Sequence, residues 1–325
     1  FELMLKMLSL STSLFDVLIS NKVIEENFPD LFFFTKIDEN IQEILFFTPK
    51  VIGLSVVQMQ RRITIWVCNR LRNKFSYEGI LLFGGSDVTY YREKYLENFD
   101  FIDYAIYQEG EISLLKFLEF IDEKCSICDV PNLIYRQEDK VVANPSITPC
   151  NFDEIVPDFD DLHLELYLTH ALPMQISRGC SWGMCTYCKH FRTYGEKYYA
   201  GKIENSVEVI RILMEKYNTN LFHFVDDDFP RLLKNEFCES ILKKGLDIKW
   251  LTYSRLDDKI TYEDLALWYR AGLRVVEWGL ESASQKVLDS VNKGIKIENI
   301  KKLLFQANEI GMLSKLFMFH NLPSE

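Results

Sequence analysis

The sequence predicts an α/β protein with an N-terminal parallel-sheet domain and a C-terminal partial (β/α)6 barrel that is incomplete at its C-terminus. Short apolar runs alternate with helical patterns in both halves, and a chain of 325 residues with 48% hydrophobic side chains can build two cores. A change in composition over residues 129–172 separates the halves. We therefore expect domains at 1–128 and 173–325, joined by a hairpin and an acidic linker.

The first domain is predicted from three apolar runs, at residues 51–57, 80–85 and 103–107. Polar stretches with helical periodicity separate these runs, as at Ile63 to Lys74, and the alternation is typical of a parallel sheet. The second run ends in the pair Gly84-Gly85. Such a pair lets the backbone approach a ligand at the carboxyl edge of a sheet, although a tight turn explains it equally well.

The linker and the second domain follow from the same kind of pattern. Residues 132–136 and 140–143 predict a hairpin, and a proline-rich, acidic stretch follows it. The predicted barrel strands are residues 174–178, 221–226, 248–254, 275–280 and 315–319, and the predicted helices are Ser206 to Tyr217, Leu232 to Lys244, Tyr262 to Ala271 and Ile297 to Ile310. Gly272 and Gly311 stop two of these helices. In such barrels the chemistry sits at the carboxyl ends of the strands.

Composition excludes several classes of protein. The net charge of −11, with no block of Lys or Arg, disfavours a nucleic-acid partner. No apolar stretch reaches the roughly 18 residues that span a bilayer. Eight scattered cysteines and no signal peptide indicate reduced thiols and a cytoplasmic protein. The first 20 residues predict an amphipathic helix, and the two chain ends, Phe1 and Glu325, indicate a fragment truncated on both sides.

Three cysteines, Cys180, Cys185 and Cys188, lie within nine residues directly after the first predicted barrel strand. Cysteine thiolates hold [4Fe-4S] clusters, and three of them leave one iron open for another ligand. A structural zinc site is the alternative, but it needs a fourth ligand and usually paired Cys-x2-Cys spacing. His190 is the candidate fourth ligand, so a non-catalytic zinc-binding protein stays open at this point.

The loop RGCSWGMCTYC at residues 178–188 and the Gly-x-Glu-Ser segment at 279–282 resemble the radical S-adenosylmethionine (SAM) enzymes that carry an N-terminal cobalamin-binding-type domain. The resemblance covers nearly the whole chain. The spacing Cys-x4-Cys-x2-Cys departs from the commoner Cys-x3-Cys-x2-Cys, which leaves the subgroup open. The resemblance implies a [4Fe-4S] cluster on the three cysteines, whose open iron chelates SAM, and a 5'-deoxyadenosyl radical that abstracts hydrogen.

The resemblance also implies SAM-binding residues at the strand ends. These are Tyr187 beside the adenine, Asp226 or Asp227 for the ammonium, Arg255 for the carboxylate, and Glu281 and Ser282 for the ribose or methionine moiety. Each has an alternative role. Tyr187 would simply pack the loop, an aspartate would cap the next helix, and Arg255 would pair with the aspartates. The segment Glu281-Ser282 would cap a helix.

In the first domain the resemblance implies a Rossmann-like cobalamin-binding fold, with Ser55, Gly84 and Gly85 flanking the corrinoid's nucleotide tail. The Asp-x-His-x-x-Gly loop that would supply an axial histidine is absent from the visible chain, and none of the five histidines lies in this domain. Three interpretations stay open: the loop precedes Phe1, cobalt is bound without a histidine, or the domain binds no corrinoid.

These residues predict a radical SAM enzyme, with or without cobalamin-dependent methyl transfer to a peptide or natural-product precursor. The alternatives are radical rearrangement, cyclisation or crosslinking without cobalamin, and the non-catalytic zinc protein. The resemblance implies an electron donor such as flavodoxin or ferredoxin and a small-molecule or peptide substrate.

Overall fold

A computed structural model describes residues 32–146, 155–189 and 198–320, with the side chains of 32–35 left out. The chain divides into two compact units, residues 1–150 and 151–325, which are described separately. The predicted helix over residues 1–20 and His190 lie outside the described residues. Across the described ranges, no helix combines the length and the apolar character needed to cross a membrane.

The first unit is built on a five-stranded sheet in the order β1-β2-β3-β4-β5. Its first three strands are parallel and the last two are antiparallel. The strands are β1 (Val51–Ser55), β2 (Ile80–Gly84), β3 (Tyr104–Ile106), β4 (Leu133–Gln137) and β5 (Lys140–Ala143). The helices are α1 (Phe32–Phe46), α2 (Arg61–Asn73), α3 (Ser86–Tyr91), α4 (Lys94–Asn98) and α5 (Glu111–Ile121).

The hairpin of β4 and β5 is present as predicted, but its place in the fold differs from the prediction. Strand β4 pairs with β3, from Tyr104 opposite Tyr135 to Ile106 opposite Leu133. The hairpin therefore extends the first sheet and is not part of a linker. Its apolar side chains explain this, because Leu133, Ile134 and Tyr135 are all buried.

The second unit contains a five-stranded, wholly parallel sheet in the order β12-β11-β10-β9-β6. The strands are β6 (Leu172–Met174), β9 (Leu221–Phe224), β10 (Lys249–Arg255), β11 (Leu273–Glu281) and β12 (Leu313–Met318), with a separate ribbon of β7 (Ser177–Arg178) and β8 (Tyr199–Ala200). The helices are α6 (Ile203–Tyr217), α7 (Arg231–Lys244), α8 (Tyr262–Arg270), α9 (Gln285–Ser290) and α10 (Ile297–Ile310). The parallel α/β fold is confirmed, while the barrel of six units stays a prediction.

The two faces of this sheet differ. On β10 the side chains of Trp250, Thr252 and Ser254 are buried, and Trp250 packs against Phe237 of α7 with ring centroids 5.4 Å apart. The alternate side chains, which include Tyr253 and Arg255, are half-buried on the opposite face. Since successive side chains of a strand point to opposite faces, this second face corresponds to the interior of the predicted barrel.

The strand predicted over residues 174–178 is broken in the structure. Strand β6 ends at Met174, and Ser177 and Arg178 pair instead with β8. The physical cause is the carboxylate of Asp226, whose Oδ1 accepts hydrogen bonds from the backbone N–H groups of Ile176 and Ser177. Because these two N–H groups donate to Asp226, they are not available to extend β6.

Candidate active site

The cysteine loop leaves the sheet at β7 and carries three free, half-buried thiols. Burial raises the pKa of Cys180 and of Cys185 above the ordinary thiol value, and the positive charges of Lys293 and Arg255 oppose that rise at Cys185. A cation beside a cysteine favours the thiolate, which is the form that binds metal. These two cations therefore reduce the cost that burial places on the Cys185 thiolate.

The donor set fits an iron-sulfur cluster. Three free thiols lie within nine residues, and the backbone N–H groups of Trp182 and Gly183 oppose the rise that burial causes in the pKa of Cys180. Within residues 32–146, 155–189 and 198–320, however, no three His, Cys, Asp or Glu side chains are placed to hold one metal ion. The three sulfurs must therefore turn toward one point when a cluster binds.

Asp226 is fully buried beneath this loop. Its Oδ1 accepts three hydrogen bonds, from the N–H of Ile176 and from the N–H and hydroxyl of Ser177, while its Oδ2 is buried without a hydrogen-bond partner. Burial raises the pKa of this carboxyl to about 7. An unsatisfied buried oxygen is costly, so the atom suits a ligand that donates a hydrogen bond or carries positive charge.

The other two aspartates of the trio differ from Asp226. Asp228 is buried and its Oδ2 accepts hydrogen bonds from the N–H and hydroxyl of Ser181, 3.9 Å from the Cys180 sulfur. Asp227 is half-buried. The N-cap position of α7 is occupied by Pro230 and not by an aspartate of the trio. The carboxylates of Asp226 and Asp228 instead hold the start of the cysteine loop.

Glu281 ends β11 in a left-handed conformation, with φ of 67°. Its carboxylate forms a buried ion pair with Lys293 at 2.8 Å, and the Lys293 ammonium also lies 3.3 Å from the Tyr187 hydroxyl. The Tyr187 ring packs on Phe319 with centroids 5.0 Å apart. Tyr187 therefore packs the loop, as its alternative role required, and also joins a polar cluster. Lys293 was missed in the sequence, where nothing marked it apart from the adjacent glycine at 294.

Arg255 is held by carbonyl groups and not by the aspartates. Its Nη2 donates to the carbonyl oxygens of Lys293 and Gly294, and its guanidinium stacks on Trp182 at 4.2 Å. Its Nε is buried without a hydrogen-bond partner. Ser282 is also buried, and its hydroxyl accepts a hydrogen bond from the N–H of Ser284. Both residues lie at the predicted edge, and their contact with SAM stays a prediction.

A cluster of polar side chains, the polar group, lies on the same face of the sheet, further from its carboxyl edge. Tyr253, Glu277 and Lys315 stand at equal register on three neighbouring strands, and Lys315 pairs with Glu277 at 2.6 Å. The ring of His223 lies 5.4 Å from that of Tyr253, its Nε2 is buried without a partner, and burial lowers its pKa. Interior layers of such barrels are usually aliphatic, so these polar groups suit a bound ligand.

In the first unit, Ser55 and Gly84 pair across β1 and β2, and Gly85 follows. Gly85 has φ of 94°, and a Cβ atom there would lie 2.6 Å from the Val56 carbonyl oxygen. Packing inside the unit therefore requires this glycine, as the tight-turn interpretation held. The contact of Ser55, Gly84 and Gly85 with a corrinoid stays a prediction.

We expect Asp226→Asn to remove a pH dependence of folding. A carboxyl whose pKa rises from 3.8 to about 7 on folding binds more protons folded than unfolded, so stability falls as pH rises through this window. Between about pH 5 and pH 8 the wild type should lose about 3 kcal/mol relative to the variant. Urea unfolding at both pH values, without added cofactors, measures the difference. A constant difference would show that Asp226 is ionised in the folded protein throughout.

Comparison with known proteins supports the assignment of the second unit. The model of the Radical SAM superfamily matches residues 174–322. An anaerobic magnesium-protoporphyrin IX monomethyl ester cyclase of Rubrivivax gelatinosus is 27% identical over 260 residues, which cover 76% of this chain and 46% of the cyclase. An uncharacterized methyltransferase of Pyrococcus horikoshii is 25% identical over 82% of this chain and 59% of its own length. The chain thus spans about half the length of these relatives.

Among solved structures, the cobalamin-dependent SAM radical enzyme OxsB, with aqua-cobalamin and SAM bound, superposes with a TM-score of 0.70. The match has 20% sequence identity and covers 87% of this chain and 42% of OxsB. At this identity the likeness shows the fold alone, and it extends over both units of the chain.

Proposed function

We propose, from the match of residues 174–322 to the Radical SAM superfamily, that the chain is the core of an enzyme that cleaves SAM to abstract hydrogen from a substrate carbon. The observation that carries the proposal is the meeting of three free cysteines, the buried Asp226 and the Glu281–Lys293 pair at one edge of the parallel sheet. Parallel α/β folds bind ligands at this edge.

Cys180, Cys185 and Cys188 would hold the [4Fe-4S] cluster. When bound, the cluster would supply one electron for cleavage of the sulfur–C5' bond of SAM, which would yield methionine and a hydrogen-abstracting 5'-deoxyadenosyl radical. The chain's own residues would bind and orient SAM. The open Oδ2 of Asp226 suits the cofactor's ammonium, and the Nε of Arg255 suits an anionic oxygen. The left-handed backbone of Glu281 places its carboxylate against Lys293 at the sheet edge.

The substrate would lie on the inner face of the sheet, beside the polar group of His223, Tyr253, Glu277 and Lys315. Arg255 and Glu281 are two and four residues further along β10 and β11 than Tyr253 and Glu277, which is roughly 7 to 13 Å at the rise of a strand. This separation suits a small molecule that contacts the polar group while one of its carbon atoms faces the cofactor.

We expect His223→Phe to stabilise the protein by about 1 kcal/mol, because it removes a buried nitrogen that has no hydrogen-bond partner. A residue kept at a cost to stability is typical of a binding site. Urea unfolding measures the change, and His163→Phe, at a histidine whose side chain is 79% exposed, should leave stability unchanged. Destabilisation by His223→Phe would instead give this histidine a structural role.

A step that uses cobalamin is a second proposal, supported by the fold shared with OxsB and by Ser55 and Gly84 at the carboxyl edge of the first sheet. The reaction would then be methyl transfer to a peptide or natural-product precursor, and without cobalamin it would be rearrangement, cyclisation or crosslinking. The electron would come from a partner such as flavodoxin or ferredoxin.

The proposal is tested on anaerobically purified protein by iron and sulfide quantification, electron paramagnetic resonance (EPR) and analysis of SAM products. We expect a reducible [4Fe-4S] signal that shifts on addition of SAM, and 5'-deoxyadenosine formed with dithionite as the reductant. Zinc in place of iron would overturn the enzyme assignment. A corrinoid spectrum in the same sample would favour the proposal that uses cobalamin over the proposal that does not.

A further inference from the structure

The cysteine loop is held by a four-residue turn, Val291 to Gly294, that follows α9. The Thr186 N–H donates to the Val291 carbonyl at 3.1 Å, and the Trp182 indole N–H donates to the Asn292 carbonyl at 2.9 Å. The Asn292 amide donates in turn to the Met184 carbonyl at 3.1 Å. Backbone and side-chain groups of the turn therefore contact the loop from Trp182 to Thr186.

These contacts fall between the cysteines and not on them. The loop residues bound to the turn are Trp182, Met184, Thr186 and, through Lys293, Tyr187. The thiols of Cys185 and Cys188, which flank Thr186 and Tyr187, stay available to a ligand. The turn thus fixes the backbone from which these thiols project and leaves the side chains free to turn toward one point.

Three features restrict the conformation of the turn. Arg255 closes it by donating to the carbonyls of Lys293 and Gly294 while it stacks on Trp182. Gly294 has φ of 67°, and a Cβ atom there would lie 2.2 Å from the Trp182 ring. Asn292 is also left-handed, with φ of 53°, a conformation that Asn adopts more readily than most residues. No larger side chain than glycine fits at 294 unless Trp182 moves.

We propose that the turn at residues 291–294 positions the cysteine loop for its [4Fe-4S] cluster, with Asn292 and Gly294 as positioning residues. The inference rests on the proposed function, because it assumes that the three cysteines bind a cluster. Groups that orient metal ligands from behind typically change metal retention about 10- to 100-fold when they are replaced. The turn meets this description, since it contacts the loop between its ligands.

The first test compares Gly294→Ala with Gly245→Ala. Both glycines have φ of 67°, so the backbone strain of alanine is matched, but nothing lies within 4 Å of a Cβ atom at Gly245, which caps α7. We expect Gly294→Ala to lose its cluster to a chelator about 10- to 100-fold faster than wild type. The Gly245→Ala control should keep the wild-type rate.

The second test uses Asn292→Asp, which preserves shape and replaces the amide donor to Met184 with a carboxylate. Asn218→Asp, at the left-handed C-cap of α6, is the matched control. We expect the Asn292 variant to load less iron and to change both the EPR spectrum of the reduced cluster and its response to SAM. Circular dichroism of the cluster-free variant establishes that it folds.

The outcomes separate this inference from the proposed function. A wild type without an iron-sulfur cluster would sink the proposed function itself. A wild type with a cluster, together with Asn292→Asp and Gly294→Ala variants that keep its retention and spectrum, would overturn the positioning role alone. Faster loss and an altered spectrum in the folded variants, with both controls unchanged, would support it.

Discussion

Replacing Cys185 with alanine should abolish the [4Fe-4S] cluster and reduce 5'-deoxyadenosine formation to the level of a protein-free control. Cys185 is the middle cysteine of the loop, and the charges of Lys293 and Arg255 favour its thiolate more than burial alone would allow. Two remaining thiolates cannot hold a site that needs three. Iron and sulfide analysis measures the loss of the cluster, and chromatography of the nucleoside product measures the loss of activity.

The matched control is Cys128→Ala, which removes an exposed free thiol from the first unit. This variant should keep the iron content and the EPR signal of the wild type. A Cys185→Ala protein that retained full iron would refute ligation by the loop. Zinc bound by the wild type through the same three cysteines would support the structural-zinc alternative instead.

Lys293→Met should destabilise the protein by about 3 to 5 kcal/mol, the cost of leaving a buried carboxylate without its partner. The side chains of Lys293 and Glu281 are only 8% and 9% exposed, and their atoms lie 2.8 Å apart. Urea unfolding measures the loss. Lys249→Met is the control, since Lys249 pairs at 2.6 Å with Asp247, whose side chain is 81% exposed, so its loss should leave stability nearly unchanged.

The double variant Lys293→Met with Glu281→Gln tests whether the unpaired Glu281 carboxylate causes the loss of stability. Most of the lost stability should return, because the uncompensated charge is gone. Equal costs for Lys293→Met and Lys249→Met would show that water reaches the Glu281–Lys293 pair. The Lys293 variant should also form less 5'-deoxyadenosine than the Lys249 variant when no substrate is added, because Lys293 contacts Tyr187 of the cysteine loop, whereas Lys249 begins β10 at the opposite edge of the sheet.

Much of the fold could be predicted from local pattern. The helix at Ile297–Ile310 has the bounds that the periodicity predicted, and Gly311 ends it in the left-handed conformation. The strand predicted at residues 174–178 was wrong because its backbone donors bond to the carboxylate of Asp226, about 50 residues later in the chain. Hydrophobic pattern carries no information about such a distant competitor for backbone hydrogen bonds.

By itself, the sequence determined the alternating elements, the three candidate thiolates and the polar residues that follow the strands, because periodicity and donor chemistry are local properties. Only the tertiary structure decided what these residues contact. Trp182 and Asn292 are 110 residues apart in the chain, and Lys293 approaches both Glu281 and Tyr187. Strand order and close packing bring them together, and residue spacing along the chain encodes neither.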